Sequence, residues 1–282
     1  VVKYFKNFNN FKESDDIMSS KVAVVTGGTS GIGLATAKEL VKGGCRVYEF
    51  SRRDEGVCPD VVHIKADVTR EDEVREAVAE VVRREGRIDI LVNNAGFGIS
   101  GAIEFTPAAE AKHQFEVNFF GMVNMNLAVL PVMRAQGGGR IVDMSSVAAP
   151  IPIPFQAYYS ASKAAVRAYT LALANEVRPF GIKCVVIMPG DIHTGFTAAR
   201  EKSRAGDDVY GGRISRSVAV MEHDETTGIS PEVAGAFVAN RALQKNPPPV
   251  SVIGGKYALA VFLTRFLSNR TLNKAVGDIY AK

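Results

Sequence analysis

Apolar runs alternate with helix-period stretches along most of the chain. Val22-Ala23-Val24-Val25 is apolar without a break, the pattern of a strand covered on both faces. Gly27 to Gly33 follows, then a helical pattern through Lys42 that Gly43-Gly44 ends. Further strands are expected at Arg46–Ser51, Val61–Lys65, Ile88–Asn93, Arg140–Ser145, Lys183–Met188 and Val250–Ile253. Between them, Arg70–Glu85 places Val74, Val78, Val81 and Val82 on one helical side, two helical stretches run to about Gln136, and Tyr159–Arg178 reads as a long helix. Thr106-Pro107 predicts a cap followed by proline at the first helical position, and Ser230-Pro231-Glu232 predicts another helix start. Repeated strand–helix–strand units imply an α/β fold: a doubly wound, Rossmann-type parallel sheet of about seven strands with helices on both faces.

No repeat or linker divides residues 18–282, so they are read as one domain. Its least regular segment, about 195–228, is polar and glycine-bearing and is expected to be a lid or disordered. Residues 256–282 form a tail of apolar residues interleaved with Arg265, Arg270 and Lys274, expected to pack on the domain, cover the substrate mouth or meet another subunit, with a membrane surface as the alternative. Residues 1–17 lack the apolar centre of a secretory signal and are expected to be a disordered extension ahead of Met18.

Apolar residues at 46% and charged residues at 23% exclude wholesale disorder, and a net charge of +4 is too small to argue for nucleic acid. Cys45, Cys58 and Cys184 form no C-x-x-C, which points to a reducing compartment and a cytoplasmic location. The histidines show no metal spacing, so no metal site is expected. The apolar stretch Tyr257–Leu267 spans eleven residues, too short to cross a bilayer, and no transmembrane segment is expected.

Three places carry chemistry. Thr26-Gly27-Gly28-Thr29-Ser30-Gly31-Ile32-Gly33 sits between a strand and a helix, where glycines allow a tight turn and the helix N-terminus offers unpaired N–H groups to a phosphate. The second strand ends at Ser51-Arg52-Arg53, where an acid would bind the free 2′-hydroxyl of an adenosine ribose; two arginines there favour a 2′-phosphate, hence NADP(H) ahead of NAD(H). Tyr159 and Lys163 lie four apart on one helix face, where an ammonium is expected to lower the phenol pKa and make it a usable proton carrier.

In order, these motifs and Asp67-Val68, Asn93-Asn94-Ala95-Gly96, Asn118-x-x-Gly121, Ser146 and Pro189-Gly190-x-x-x-Thr194 resemble the short-chain dehydrogenase/reductase family of single-domain type, from Lys21 to about Asn246. The resemblance implies roles. Tyr159 would be the general acid/base, and Lys163 would lower its pKa and hold the nicotinamide ribose. Ser146, thirteen residues before Tyr159, would bond the substrate carbonyl, and Asn118 would hold a relay water. Gly27, Thr29, Ser30, Gly31, Ile32 and Gly33 would cradle the phosphates, with Arg52 and Arg53 on the 2′-phosphate. Asp67 and Val68 would contact adenine, Asn94 and Gly96 the adenosine ribose, and Ile192 and Thr194 the carboxamide and phosphates. The wording around Asn94–Gly98, Phe115–Gly121 and Pro179–Lys183 is similar to the 17β-hydroxysteroid and retinol dehydrogenase branch.

The expected activity is interconversion of a secondary alcohol and a ketone with NADP(H), on an apolar, steroid-like substrate in a pocket lined by the mostly apolar Pro150–Phe155. The charged residues of 197–228 leave the substrate open. The alternatives are a carbonyl reductase for an acyl-carrier, sugar or small ketone, and a non-catalytic NADP-sensing protein. The resemblance also implies a homo-oligomer, dimer or tetramer, joined through the helices carrying Phe115–Leu130 and Tyr159–Val177.

Overall fold

In a computed structural model describing residues 20–281, the core is a seven-stranded parallel sheet. The expectation for residues 1–17 lies outside the described residues. The first half of the chain contributes β1 (Val22–Thr26), α1 (Gly31–Lys42), β2 (Arg46–Ser51), β3 (Val62–Lys65), α2 (Glu71–Glu85), β4 (Ile90–Asn93), β5 (Ile99–Ser100), α3 (Ala108–Phe115) and α4 (Gly121–Ala135). The second half adds β6 (Gly139–Met144), α5 (Ala157–Glu176), β7 (Ile182–Pro189), α6 (Phe196–Ala199), β8 (Glu201–Lys202), α7 (Arg213–Thr226), α8 (Pro231–Leu243), β9 (Val250–Ile253), α9 (Gly255–Leu263) and α10 (Asn269–Tyr280). The sheet order is β3-β2-β1-β4-β6-β7-β9, and every neighbouring pair is parallel. The seven expected strands and the doubly wound topology are therefore present.

The period of two explains the two-sided core. Val22 and Val24 of β1 point to one face, where Val74, Val78 and Val81 of α2, Met125, Val129 and Met133 of α4 and Leu173 of α5 cover them. Ala23 and Val25 point to the other face, under Ala37 and Leu40 of α1 and Ala234, Val238 and Ala242 of α8. Each fully buried Val or Leu contributes roughly 1.5–3 kcal/mol. Helices α1 and α8 approach so closely that a Cβ on Gly235 would lie 2.5 Å from the Ala35 Cβ. Ser230 caps α8 through its oxygen, with Pro231 in the first turn, as the sequence predicts.

Three details differ from the expectation. Helix α3 begins at Ala108 with Pro107 as its cap, one residue later than predicted, because the Thr106 hydroxyl instead donates to the Ala102 carbonyl at 2.8 Å. Between α3 and α4 the chain widens into a π-helical turn, Glu116–Phe120. The irregular-looking segment 195–228 holds α6, β8 and α7, and β8 pairs in parallel with β5 in a small second sheet.

Among the described residues, the run Ala108–Ala135 is long and apolar enough to cross a membrane by length and composition. Its Met125, Val129 and Met133 are fully buried against the sheet, the pattern of a core helix. The chain leaves β1 toward β2 and β3, and returns through β4 toward β6, β7 and β9. A crevice opens at that switch point, above the carboxyl ends of the strands.

Candidate active site

The loop after β1 forms the floor of the crevice. Gly27 and Gly31 have φ of +65° and +53°, the left-handed region that favours glycine. A Cβ on Gly33 would overlap the Gly27 carbonyl and the Asn94 amide, so only glycine lets α1 start this close to the loop. Asn94 donates its side-chain amide to the carbonyls of Thr26 (3.0 Å) and Gly27 (3.2 Å), while the Thr26 hydroxyl accepts from the backbone N–H groups of Asn94 and Ala95. Asn94 thus fastens the glycine loop to β4. Ser30 is exposed at the start of α1 and makes no side-chain cap, leaving the first-turn N–H groups of the helix open to an anion. Ile32 packs against the core beneath.

A cavity of about 750 Å³ runs from this loop over β2 and β3, lined by Gly27, Thr29, Arg52, Arg53, Asp67, Val68 and Gly96 among others. Arg52 and Arg53 are exposed there. The nearby acid Asp54 is engaged by Lys65 at 2.6 Å. His63, which shows no partner pattern in the sequence and was expected to be structural or at the surface, meets the buried Glu49 carboxylate through Nδ1 and the Arg53 carbonyl through Nε2 at 3.0 Å, which anchors the arginine turn. The Asp67 carboxylate accepts from the Thr69 N–H and hydroxyl, at 2.9 and 2.8 Å, and so shapes the entry to α2.

A second cavity of about 520 Å³ shares Gly27, Thr29, Arg53, Ala95, Gly96 and Phe97 with the first and continues to Ser146, Tyr159, Lys163, Ile192 and Thr194. Thr194 comes back from β7 to lie over the glycine loop: a Cβ on Gly31 would touch the Thr194 Cβ at 3.3 Å. Ile192 is buried and bridges to Ile229, while His193 is exposed.

Lys163, on α5, is buried and donates to the Met144 carbonyl at 2.8 Å. A Cβ on Gly96 would meet Asn118 Oδ1 at 3.0 Å and Lys163 Nζ at 3.5 Å, so these two groups and the loop after β4 converge. Asn118 sits in the π-helical turn, where its Oδ1 accepts from the Phe97 N–H and its Nδ2 donates to the Phe97 carbonyl, both at 2.9 Å. The widened turn aims this asparagine at the loop rather than into the helix. Ser146 is buried and its hydroxyl accepts from Ala148 N–H at 3.1 Å, whereas Ser145 donates to the Lys163 carbonyl at 2.7 Å and is structural. Tyr159 faces Phe196 with ring centroids 5.8 Å apart.

The electrostatics differ from the expectation. Enclosure in the cleft pushes the Tyr159 phenol up to about 12, with Ser146 pulling it down and Glu225 pushing it up. Burial lowers Lys163 to about 8, opposed by the Asp143 carboxylate. Lys163 lies 5.8 Å from the Tyr159 ring centroid with its ammonium on the Met144 carbonyl, and burial is the largest influence on the phenol. The phenol is therefore protonated at neutral pH.

Sequence reasoning missed several residues around this centre. Asp143 is fully buried in β6, and burial raises its carboxyl to about 6 although Asn93 and Thr170 donate to it, both at 2.8 Å. Asp191 and Glu225 line the second cavity; Asp191 accepts from the Tyr257 hydroxyl, and Glu225 pairs with the buried Arg200. Asp143 left one weak signal, an acid inside an apolar strand pattern. The others converge from segments far apart in the chain and left none.

Two joined cavities across a topological switch point, with a glycine loop at one wall and a Tyr–Lys helix at the other, define an oxidoreductase site for a nicotinamide dinucleotide on a Rossmann-type sheet. The family model of the short chain dehydrogenase matches residues 21–205, and the chain belongs to that family. The chain is 41% identical over 239 residues to a 3-ketodihydrosphingosine reductase of Bacteroides thetaiotaomicron, covering 84% of this chain and 89% of the relative. It is 32% identical to dehydrogenase/reductase SDR family member 7B of Xenopus tropicalis, over 87% of this chain and 81% of that one. Among solved structures, a short-chain dehydrogenase from Streptomyces avermitilis superposes with a TM-score of 0.78 at 30% identity, covering 93% and 97% of the two chains.

Proposed function

We propose that this oxidoreductase interconverts a ketone and a secondary alcohol with NADP(H), on an apolar, long-chain substrate. The observation that carries the reading is the convergence of Ser146, Tyr159 and Lys163 on one cavity that continues into the glycine-loop cleft. The residues fit the dinucleotide: the glycines leave room for a backbone approach to its phosphates, and Arg52 and Arg53, which line the cleft with Asp54 drawn off to Lys65, would take up a 2′-phosphate. Gly27 to Gly33 and Thr194 would hold the phosphates, Asp67, Val68, Asn94 and Gly96 the adenosine end, and Lys163 and Ile192 the nicotinamide end. When bound, the dinucleotide supplies or accepts the hydride.

The chain's own residues handle the proton. Tyr159, kept protonated by enclosure, donates its phenolic proton to the substrate oxygen. Ser146 orients that oxygen through its hydroxyl. Lys163, whose pKa of about 8 lies close to neutral, resupplies the proton, and Asn118 fixes the loop against which this relay is built. A protonated donor suits the reductive direction. A protein that only sensed the cofactor would have no use for this proton donor.

The substrate class draws on the relative from Bacteroides, which by its name reduces a ketone on a long-chain sphingoid base. Ile153 and Phe196 give the cavity apolar walls, while Asp191 and Glu225 give it a polar end. That mixture suits a long-chain ketone with a polar head better than a steroid. Segment 195–228 serves as the lid, since Phe196 and Glu225 both line the cavity. A homo-oligomer would form through α4 and α5, where Leu127 of α4 and Phe120 of the π-helical turn before it are exposed. Free cysteines, with Cys45 and Cys184 buried among apolar side chains, suit the cytoplasm. The test is to follow reduced-nicotinamide absorbance with long-chain 3-ketones, ketosteroids, acyl-carrier and sugar ketones, each with NADPH and with NADH. Turnover confined to acyl-carrier or sugar ketones would overturn the substrate assignment, and silence on every ketone and alcohol would overturn the activity.

A further inference from the structure

The tail after β9 presents an apolar stripe to solvent. On α9 and the turn after it, Leu259, Phe262, Leu263 and Phe266 are 59%, 51%, 43% and 71% exposed. Their i, i+3, i+4, i+7 spacing puts them on one helical face. The opposite positions, Tyr257, Ala260, Val261 and Thr264, are partly covered by the domain. The helix is thus apolar on both sides, and only one side has a protein partner among the described residues. Contiguous exposed apolar surface of this kind marks an interaction site.

The helix is also fixed rather than loosely attached. The Tyr257 ring packs so tightly on the end of β7 that a Cβ on Gly190 would overlap it, and its hydroxyl donates to Asp191 in the wall of the second cavity. The stripe therefore stands outside the wall of the candidate active site.

Charge identifies the partner. Lys256, Arg265, Arg270 and Lys274 accompany the stripe, and no Asp or Glu occurs from Gly254 to Gly277. Lys274 is paired with Asp278 at 2.8 Å. Two copies packed face to face on this stripe would bring like charges together, with Asp278, already paired to Lys274, the one acid of residues 254–282. An anionic lipid surface answers both features, since it takes an apolar face into its headgroup boundary and attracts the flanking cations. We infer that α9 and the turn to Leu267 form an interfacial docking element that seats the protein on an anionic membrane surface. This does not depend on the substrate reading, although a long-chain substrate would be delivered from the same surface.

The experiment is co-sedimentation of the full chain with vesicles of phosphatidylcholine containing phosphatidylglycerol, and with phosphatidylcholine alone. The wild type is expected to bind the anionic vesicles, more weakly as salt rises. Phe262→Glu with Phe266→Glu is expected to lower the bound fraction at least ~tenfold. Arg265→Ser and Arg270→Ser are each expected to lower it roughly fivefold. Unchanged NADPH binding by these variants would establish that they fold. Failure of the wild type to bind anionic vesicles, or full binding by the double Glu variant, overturns the inference. So does a wild-type dimer without vesicle affinity that the Glu variant converts to monomer, which would assign the stripe to a second copy. A Tyr159→Phe protein should still bind vesicles, so loss of the proposed chemistry and loss of docking read out separately.

Discussion

Over β2 and β3 the cleft presents Arg52 and Arg53 to solvent, whereas over β6 and α5 it buries Lys163 and Asp143. The two ends use charge in opposite ways. An exposed guanidinium keeps its hydration until a ligand arrives, is screened by salt, and contributes specificity at small cost to the fold. A buried ammonium and carboxylate lose their hydration on folding, and their pKa values move to about 8 and about 6. On the proposed function, the first arrangement would select a ligand and the second would tune a proton. Enclosure likewise favours the neutral form of Tyr159, whose phenol is pushed up to about 12.

The largest effect that would break this contrast is at Tyr159. Removing its hydroxyl by Tyr159→Phe should lower kcat for ketone reduction by about 10³-fold with cofactor affinity retained, as measured by steady-state kinetics and NADPH titration. At the opposite end, Arg52→Ala with Arg53→Ala should reduce kcat/KM for NADPH by roughly 10- to 100-fold and leave kcat/KM for NADH nearly unchanged. Equal losses with both cofactors would mean that the arginines do not read the 2′-phosphate.

Smaller effects test the buried end. Lys163 carries its proton below about pH 8 and loses it above, so the reduction rate should fall as pH rises through that value. Asp143 favours the charged lysine, so Asp143→Asn should move this alkaline limb to lower pH. The same substitution has a stability signature. The Asp143 carboxyl titrates at about 6 in the folded chain against an ordinary 3.8, so the folded state holds the extra proton between those values. Its contribution to stability is therefore present at low pH and lost as pH rises through about 6. Thermal denaturation across that window should show a slope that Asp143→Asn flattens.

The fold was largely legible because its signals are local. Val22–Val25 is continuously apolar since both faces of β1 are covered, and Ser230-Pro231 marks a helix start by its own chemistry. The small sheet of β5 and β8 left no trace, because two-residue strands have no period to detect. Helix α7 was obscured by its polar face and by the glycines ahead of it.

At the site, spacing drew attention to Tyr159 and Lys163 and the family resemblance to Ser146, and the fold brings all three to one cavity. Neither could give the direction of the Tyr159 shift. Spacing shows that Lys163 shares a face with Tyr159, but not that its ammonium turns to the Met144 carbonyl or that enclosure raises the phenol. Asn118 was expected to hold a relay water and Asn94 to contact the adenosine ribose; spacing gave no sign that their amides also bond to the Phe97 backbone and to the glycine-loop carbonyls. Arg200, Glu225 and Tyr257 were out of reach, since their partners come from distant segments.

The most direct test of the account follows reduced-nicotinamide absorbance while wild-type protein and Tyr159→Phe each meet a long-chain 3-ketone, with NADPH and with NADH. The account predicts wild-type turnover that prefers NADPH, and a loss of about 10³-fold in the variant with its NADPH affinity intact. Full turnover by Tyr159→Phe would contradict it.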